Sequence, residues 1–327
     1  MDENAFRTFI KGLLRLSGIS QKYLGTLTDD KSLEIYQQAF THPSVDPLSN
    51  YEWWEILGDS TLNKTIVWYV SRRFPILQNP EGVKVIARLK INMVSKKKFA
   101  EIAEQLGMKQ FIRINYDTVS AQNSVLMRSI SEDVLEAFFG ATEWIIDTRI
   151  EPGAGYGICY LILKKILDAT DISLDYNDLY DAITRLKETM DTHRSRFPGT
   201  IRYVRIDRPA SIPEGENGGG WNPPLQHVQV LYNGHGAVGS LLLGEAQGRT
   251  LDDAKQVAAQ KAIYFLEQRG ISKPIPAYYL KIREWLMTNN GNDGKGGIDK
   301  NNERSITGSR SMQTPSSLDT RRSEVTG

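Results

Sequence analysis

Residues 51–73 read YEWWEILGDSTLNKTIVWYVSRR. The run is too long for a strand and apolar on a wide stripe through Trp53, Trp54, Ile56, Leu57, Leu62, Ile66, Val67 and Trp68. It is therefore expected to be a helix, with Pro75 just past its end. Glu52, Glu55 and Asp59 interrupt the apolar surface at i, i+3 and i+7. At about 100° per residue they fall within about 60° of one another on one face. Acids on an otherwise apolar helix are costly unless they are paired or hold a cation.

A second stretch, EDVLEAFFGA (132–141), repeats the pattern with Asp133 and Glu136 at i and i+3, and Gly140 permits close helix packing. Two such helices meeting face to face would set four carboxylates around hard cations. Mg²⁺- or Mn²⁺-assisted phosphodiester hydrolysis requires that arrangement. The same spacing also serves surface salt bridges, and spacing alone leaves both readings open.

Outward from these two runs, helical periodicity is expected over 4–16 with Gly18 as the stop, and over 31–41, 81–106, 124–149 and 158–169. Residues 1–170 thus read as an all-α domain. After Gly153 the character changes. A helix over 176–192 precedes β-type segments at 200–206 and 227–234, a third strand over 236–246, and an amphipathic helix over 251–268. That α–β–β–β–α order makes a small α+β domain over 171–275. Residues 276–327 form a C-terminal extension, Gly-, Asn- and Ser-rich from about 289 and expected to be disordered from there.

The 327 residues include 40 basic and 39 acidic side chains, a net charge of +1, so any nucleic-acid surface must come from local clustering rather than from overall charge. Charges do cluster. Between Glu81 and Glu101 the charged residues are all basic (Lys84, Arg88, Lys90, Lys96, Lys97 and Lys98), whereas 129–147 carries acids alone. The lone cysteine, Cys159, excludes an internal disulfide framework. Acids in MDENAF argue against a signal peptide, and no uncharged apolar run is long enough to span a membrane. A soluble intracellular protein without membrane contact is expected, cytoplasmic or nuclear, with no clear mitochondrial transit peptide.

The strings AFTHPS (39–44), EWWEILGDSTL (52–62), NPEG (79–82) and EDVLEAFFGA (132–141) resemble, in order and spacing, the motifs of the ribonuclease III family. The likeness covers about 5–150 for an RNase III endonuclease domain and, more weakly, 176–270 for a double-stranded-RNA-binding domain (dsRBD). It implies that Glu55, Asp59, Asp133 and Glu136 are the catalytic metal ligands, with Mg²⁺ as cofactor and Mn²⁺ able to substitute. Glu52 and Glu81 match accessory cleft acids. Arg88 matches a basic position, and with Lys84 and Lys90 it is a candidate for RNA phosphate contact. The resemblance further implies a homodimer cutting double-stranded RNA to 5′-phosphate and 3′-hydroxyl ends with short 3′ overhangs. Trp53 and Trp54 serve either that dimer or the monomer core.

Two departures from the pattern stand out. The motif's usual Arg–Leu is Trp53–Trp54 and its Phe is Ile56, so the dimer contact must be packed differently. In the second domain the expected basic helix start is Thr250-Leu251-Asp252-Asp253-Ala254-Lys255, which keeps only Lys255 as a cation for RNA. That domain is expected to bind structured RNA weakly or to meet a protein partner. The alternative for the whole chain is a non-catalytic RNase III-fold protein that binds structured RNA, such as a mitochondrial ribosome component.

Overall fold

A computed structural model describes residues 2–117, 124–206, 225–234 and 239–289. The helices of the first part are α1 (Glu3–Arg15), α2 (Gln21–Leu27), α3 (Asp30–Ala39), α4 (Glu52–Arg73), α5 (Val83–Met93), α6 (Lys96–Gln105), α7 (Ser124–Arg149) and α8 (Ala154–Asp168). After a short α9 (Tyr176–Leu179) come α10 (Ala182–Thr192), β1 (Gly199–Arg205), β2 (Gln226–Gly234), β3 (Leu241–Gly248), α11 (Leu251–Glu267) and α12 (Ala277–Asn289). The described residues are mostly helical, with one small antiparallel sheet in the order β1-β2-β3.

Local chemistry explains where the helices start and stop. Asp2 caps α1 by accepting the N–H of Asn4, and Asp29 caps α3 by accepting that of Ser32. The single helix expected over 81–106 is two. Ser95 adopts an extended backbone and its hydroxyl accepts the Lys98 N–H, which ends α5 and starts α6. The helix expected over 176–192 is broken in the same way. Tyr180 is extended and Asp181 caps α10 by accepting from Thr184 N–H. The third strand lies at 241–248, later than the 236–246 expected; residues 236–238 fall outside the described residues.

Two cores organise the chain. The first buries Phe6, Ile10 and Leu14 of α1 with Leu62 and Ile66 of α4, Phe138 and Phe139 of α7, and Ile162 of α8. Each such side chain contributes about 1.5–3 kcal/mol by leaving water. This core runs on through Leu179 and also takes in Tyr279 and Ile282 of α12. The C-terminal helix was not foreseen in the sequence, and it returns to the first core. Tyr278 donates its hydroxyl to the Ile76 carbonyl at 2.6 Å and accepts from Asn79 Nδ2 at 2.9 Å. Residues beyond Asn289, where disorder was expected, lie outside the described residues.

The second core stacks α10 and α11 on one face of the sheet. Val228, Val230, Leu243 and Ala246 meet Ala254, Ala258, Ala259 and Ala262. The alanine row lets the helix settle close to the strands. A Cβ at Gly244 would overlap the Ala258 carbonyl, so that close seat requires glycine on β3. A ring cluster of Tyr176, Tyr180 and Tyr279 sits where the two parts join, with centroids 4.7 to 6.3 Å apart.

Candidate active site

The site is built where α4 crosses α7. A Cβ on Gly58 would overlap the backbone carbonyl of Glu136, and one on Gly140 would overlap that of Trp54. The two helices therefore touch backbone to backbone. Glu55 and Asp59 lie beside Gly58 on α4, while Glu136 and Asp133 lie one and two turns before Gly140 on α7. A close crossing at two glycines thus brings the acids of one helix against those of the other.

Glu136 is buried, with 7% of its surface exposed, and its carboxyl is pushed up to about 8. Burial is the main cause, followed by the negative charges of Asp59, Glu132, Glu55 and Asp133. Glu55, Asp59 and Asp133 are thus all within electrostatic reach of Glu136. Asp133 accepts the Tyr51 hydroxyl on Oδ2 at 3.0 Å, and Asp59 accepts Asn63 Nδ2 on Oδ1 at 2.6 Å. Burial and the neighbouring acids raise the Tyr51 phenol far above its ordinary range, so it remains a donor. Glu52 is exposed at the rim, where its charge acts on His42 and Tyr51.

The chemistry of the donor set suits a hard divalent cation: Glu55, Asp59, Asp133 and the buried Glu136 offer carboxylate oxygens, and the charges of the other three act on Glu136. Among the described residues no group of three or more His, Cys, Asp or Glu side chains is already drawn in tightly enough to hold a metal ion. Hydrogen bonds from Tyr51 and Asn63 hold Asp133 and Asp59.

A scan for known families matches residues 32–144 to a Ribonuclease-III-like domain, a span that contains all four acids. The chain is 37% identical over 286 residues to a putative ribonuclease 3 of Invertebrate iridescent virus 6, covering 83% of this chain and 90% of that protein. The chain belongs to the ribonuclease III family. It is accordingly an RNA-processing nuclease by family. A putative ribonuclease 3 of Frog virus 3 is 39% identical over 193 residues, covering 59% of this chain and 51% of that protein. Ribonuclease 3 of Lactobacillus johnsonii is 28% identical, covering 75% of this chain and 94% of its own. Among solved structures, the nuclease domain of ribonuclease III from Campylobacter jejuni aligns with a TM-score of 0.36 at 26% identity, covering 49% of this chain and 97% of that one.

Glu81 of this ribonuclease III chain pairs with Lys281 of α12 at 3.2 Å. Arg88 lies over the Tyr180 ring, 4.5 Å from its centroid, at the junction of the two cores. Lys84 is exposed on α5 and Lys90 half-buried on the same helix. Lys255 is half-buried in the first turns of α11. There Asp253 has a structural task, forming a capping box with Thr250. The tryptophan pair is divided: Trp54 is 7% exposed and stacks edge-on with Trp144, whereas Trp53 is 59% exposed.

Two contributors were missed in the sequence. Glu132 is buried one turn before Glu136 and adds to its raised pKa; its i, i+4 spacing was the available signal. Tyr51 holds Asp133, and only the three-dimensional approach of the α4 start to α7 shows it.

Proposed function

We propose that this chain is a metal-dependent endoribonuclease that cleaves double-stranded RNA as a homodimer, leaving 5′-phosphate and 3′-hydroxyl ends with short 3′ overhangs. The observation that carries the reading is the buried, charge-frustrated Glu136 among Asp59, Glu55 and Asp133. A chain relieved of catalysis gains nothing from that cluster, whose mutual repulsion costs stability until a cation compensates it.

Glu55, Asp59, Asp133 and Glu136 are the residues that would hold Mg²⁺ or Mn²⁺. When bound, such a cation supplies charge neutralisation at the phosphate and a water of lowered pKa. The protein's own part is to gather the oxygens on two helices that meet backbone to backbone at Gly58 and Gly140. Glu136, whose carboxyl is pushed up by burial and the neighbouring acids, would have to be deprotonated to hold such a cation, so binding would depend on pH. Lys84 and Lys90 on α5, and Lys255 on α11, are the cations that would meet RNA phosphates in this reading.

The homodimer reading rests on the exposed face of α4. Trp53, Ile56 and Val67 fall on one side of that helix at helical spacing, and Ile56 is 67% exposed. Dimerisation through this face would set two carboxylate clusters near one another, one for each RNA strand. The test is digestion of end-labelled double-stranded RNA beside its separated single strands, with the product ends mapped. The reading expects duplex-specific cuts with staggered ends. Equal digestion of single strands, or blunt products, would contradict it.

A further inference from the structure

The AFTHPS segment has no part in the chemistry proposed above, although it stands beside the carboxylates. It is tied down by backbone pairing. Arg113 N–H donates to the Phe40 carbonyl at 2.8 Å, and His42 N–H donates to the Arg113 carbonyl at 2.9 Å. Thr41, between them, forms an isolated parallel bridge with Arg113 and offers its carbonyl to Tyr51 N–H at 3.0 Å. The segment therefore fixes the backbone of Tyr51, the residue that begins α4 immediately before Glu52.

The side chain of Tyr51 is fixed as well. Its ring is buried and meets the His42 imidazole edge-on, with centroids 5.7 Å apart. His42 is itself pinned: Ser44 N–H donates to Nδ1 at 3.0 Å, and the Ser44 hydroxyl lies 2.8 Å from the same nitrogen. Ser44 Oγ in turn accepts Asn115 N–H at 3.1 Å, which orients its own proton toward His42. From this held ring the Tyr51 hydroxyl reaches across to α7 and donates to Asp133 Oδ2 at 3.0 Å.

We infer that Tyr51 is a positioning residue for the cation site: its hydroxyl, donating to Oδ2, holds the Asp133 carboxylate that would serve as a metal ligand. This rests on the reading of the carboxylates as a cation site. The physical ground is general. A carboxylate ligand that must be ordered at the moment of binding loses affinity, whereas one already held by a rigid donor does not. The phenol suits the task because its rotamer freedom is already gone: ring and backbone are both set by the AFTHPS segment. His42 and Ser44 act one step further out, on the ring of Tyr51.

The experiment uses the full chain and the variant Tyr51→Phe, which keeps the buried ring and removes only the donor. Mn²⁺ binding is measured by titration calorimetry at a temperature where circular dichroism shows both proteins folded, and cleavage is followed against Mg²⁺ concentration. Tyr51→Phe is expected to bind Mn²⁺ about tenfold or more weakly, within the range seen when an outer hydrogen bond to a metal ligand is removed. Its half-saturating Mg²⁺ should rise by a similar factor, with activity recovering at high metal and KM for RNA unchanged. Mn²⁺ affinity equal to wild type, or a loss of kcat that no metal concentration restores, would overturn the inference. Wild type and Asp133→Asn are titrated alongside. A wild type that binds no Mn²⁺ overturns the cation site and the inference together; a wild type that binds, beside a Tyr51→Phe that binds equally, overturns the inference alone.

Discussion

Gly58 on α4 rests against the backbone carbonyl of Glu136 on α7, with no room between them for a side chain. Gly140 makes the reciprocal contact with the Trp54 carbonyl. The separation of the two helices, and so the spacing of the four carboxylates, is set by these two absent side chains.

Gly58→Ala and Gly140→Ala are therefore expected to be far more disruptive than alanine in a helix usually is. Alanine favours the helix itself, but each Cβ meets backbone that cannot yield without moving a helix. The expected loss is about 1–3 kcal/mol or more. Nuclease activity should fall further than stability does, because the acids move with their helices. Thermal melts beside cleavage assays check both; a variant as stable and as active as wild type would contradict the account.

Glu136→Gln should separate stability from activity. The folded-state pKa of Glu136 is raised to about 8, so in the metal-free protein its ionisation is penalised by folding. That cost is absent below the ordinary carboxylate pKa of about 4.3 and grows as pH rises toward the folded value. Metal-free Glu136→Gln should thus melt higher than wild type near pH 8 and about equally near pH 4. Equal melting at both pH values would show that the carboxyl is not frustrated.

Much of this site was legible in the sequence because its spacing is chemical. Glu55 and Asp59, like Asp133 and Glu136, are acids at helical intervals on apolar helices, and Gly140 signalled close packing. The partners that hold those acids were not legible. Tyr51 and Asp133 are 82 residues apart, and no periodicity links them. Helix breaks were missed for a different reason. Ser95 and Asp181 stop one helix and start another by accepting a backbone N–H, a local competition that apolar periodicity does not report. The α12 helix was missed although its segment is largely apolar, because it directly precedes the Gly-, Asn- and Ser-rich run from about 289; Tyr279 and Ile282 are buried by the first core.

Asp29 ties the end of α7 to the start of α3. Arg149 reaches both its oxygens, at 2.5 and 2.6 Å, and holds its carboxyl well below the usual range. A depressed folded-state pKa gives stability that is complete above about pH 4 and is lost as pH falls further. The Asp29 side chain is 40% exposed, so solvent screening keeps the expected effect near about 1 kcal/mol. Asp29→Asn should lower the melting temperature at neutral pH and flatten its fall in acid. An acid limb that matches wild type would place that sensitivity elsewhere.

Ile56→Glu tests the dimer face without touching the cluster's ligands. A charge on this exposed stripe of α4 costs a monomer only modest repulsion from Glu52 and Asp59 but must be desolvated in a dimer. Sedimentation equilibrium at micromolar concentration should show wild type as a dimer and Ile56→Glu as a monomer. Two dimers of equal strength would move the contact to another surface.

The central claim is that the carboxylates gathered at the Gly58–Gly140 crossing act as one cation-dependent cutting site. The most direct measurement is cleavage of a long, labelled double-stranded RNA by the purified full chain, in Mg²⁺ and in EDTA, beside Glu136→Gln. The account predicts cutting in Mg²⁺, none in EDTA, and none by Glu136→Gln even though it still binds the RNA. Cutting by Glu136→Gln at near wild-type rate in Mg²⁺, or undiminished cutting by wild type in EDTA, would contradict it.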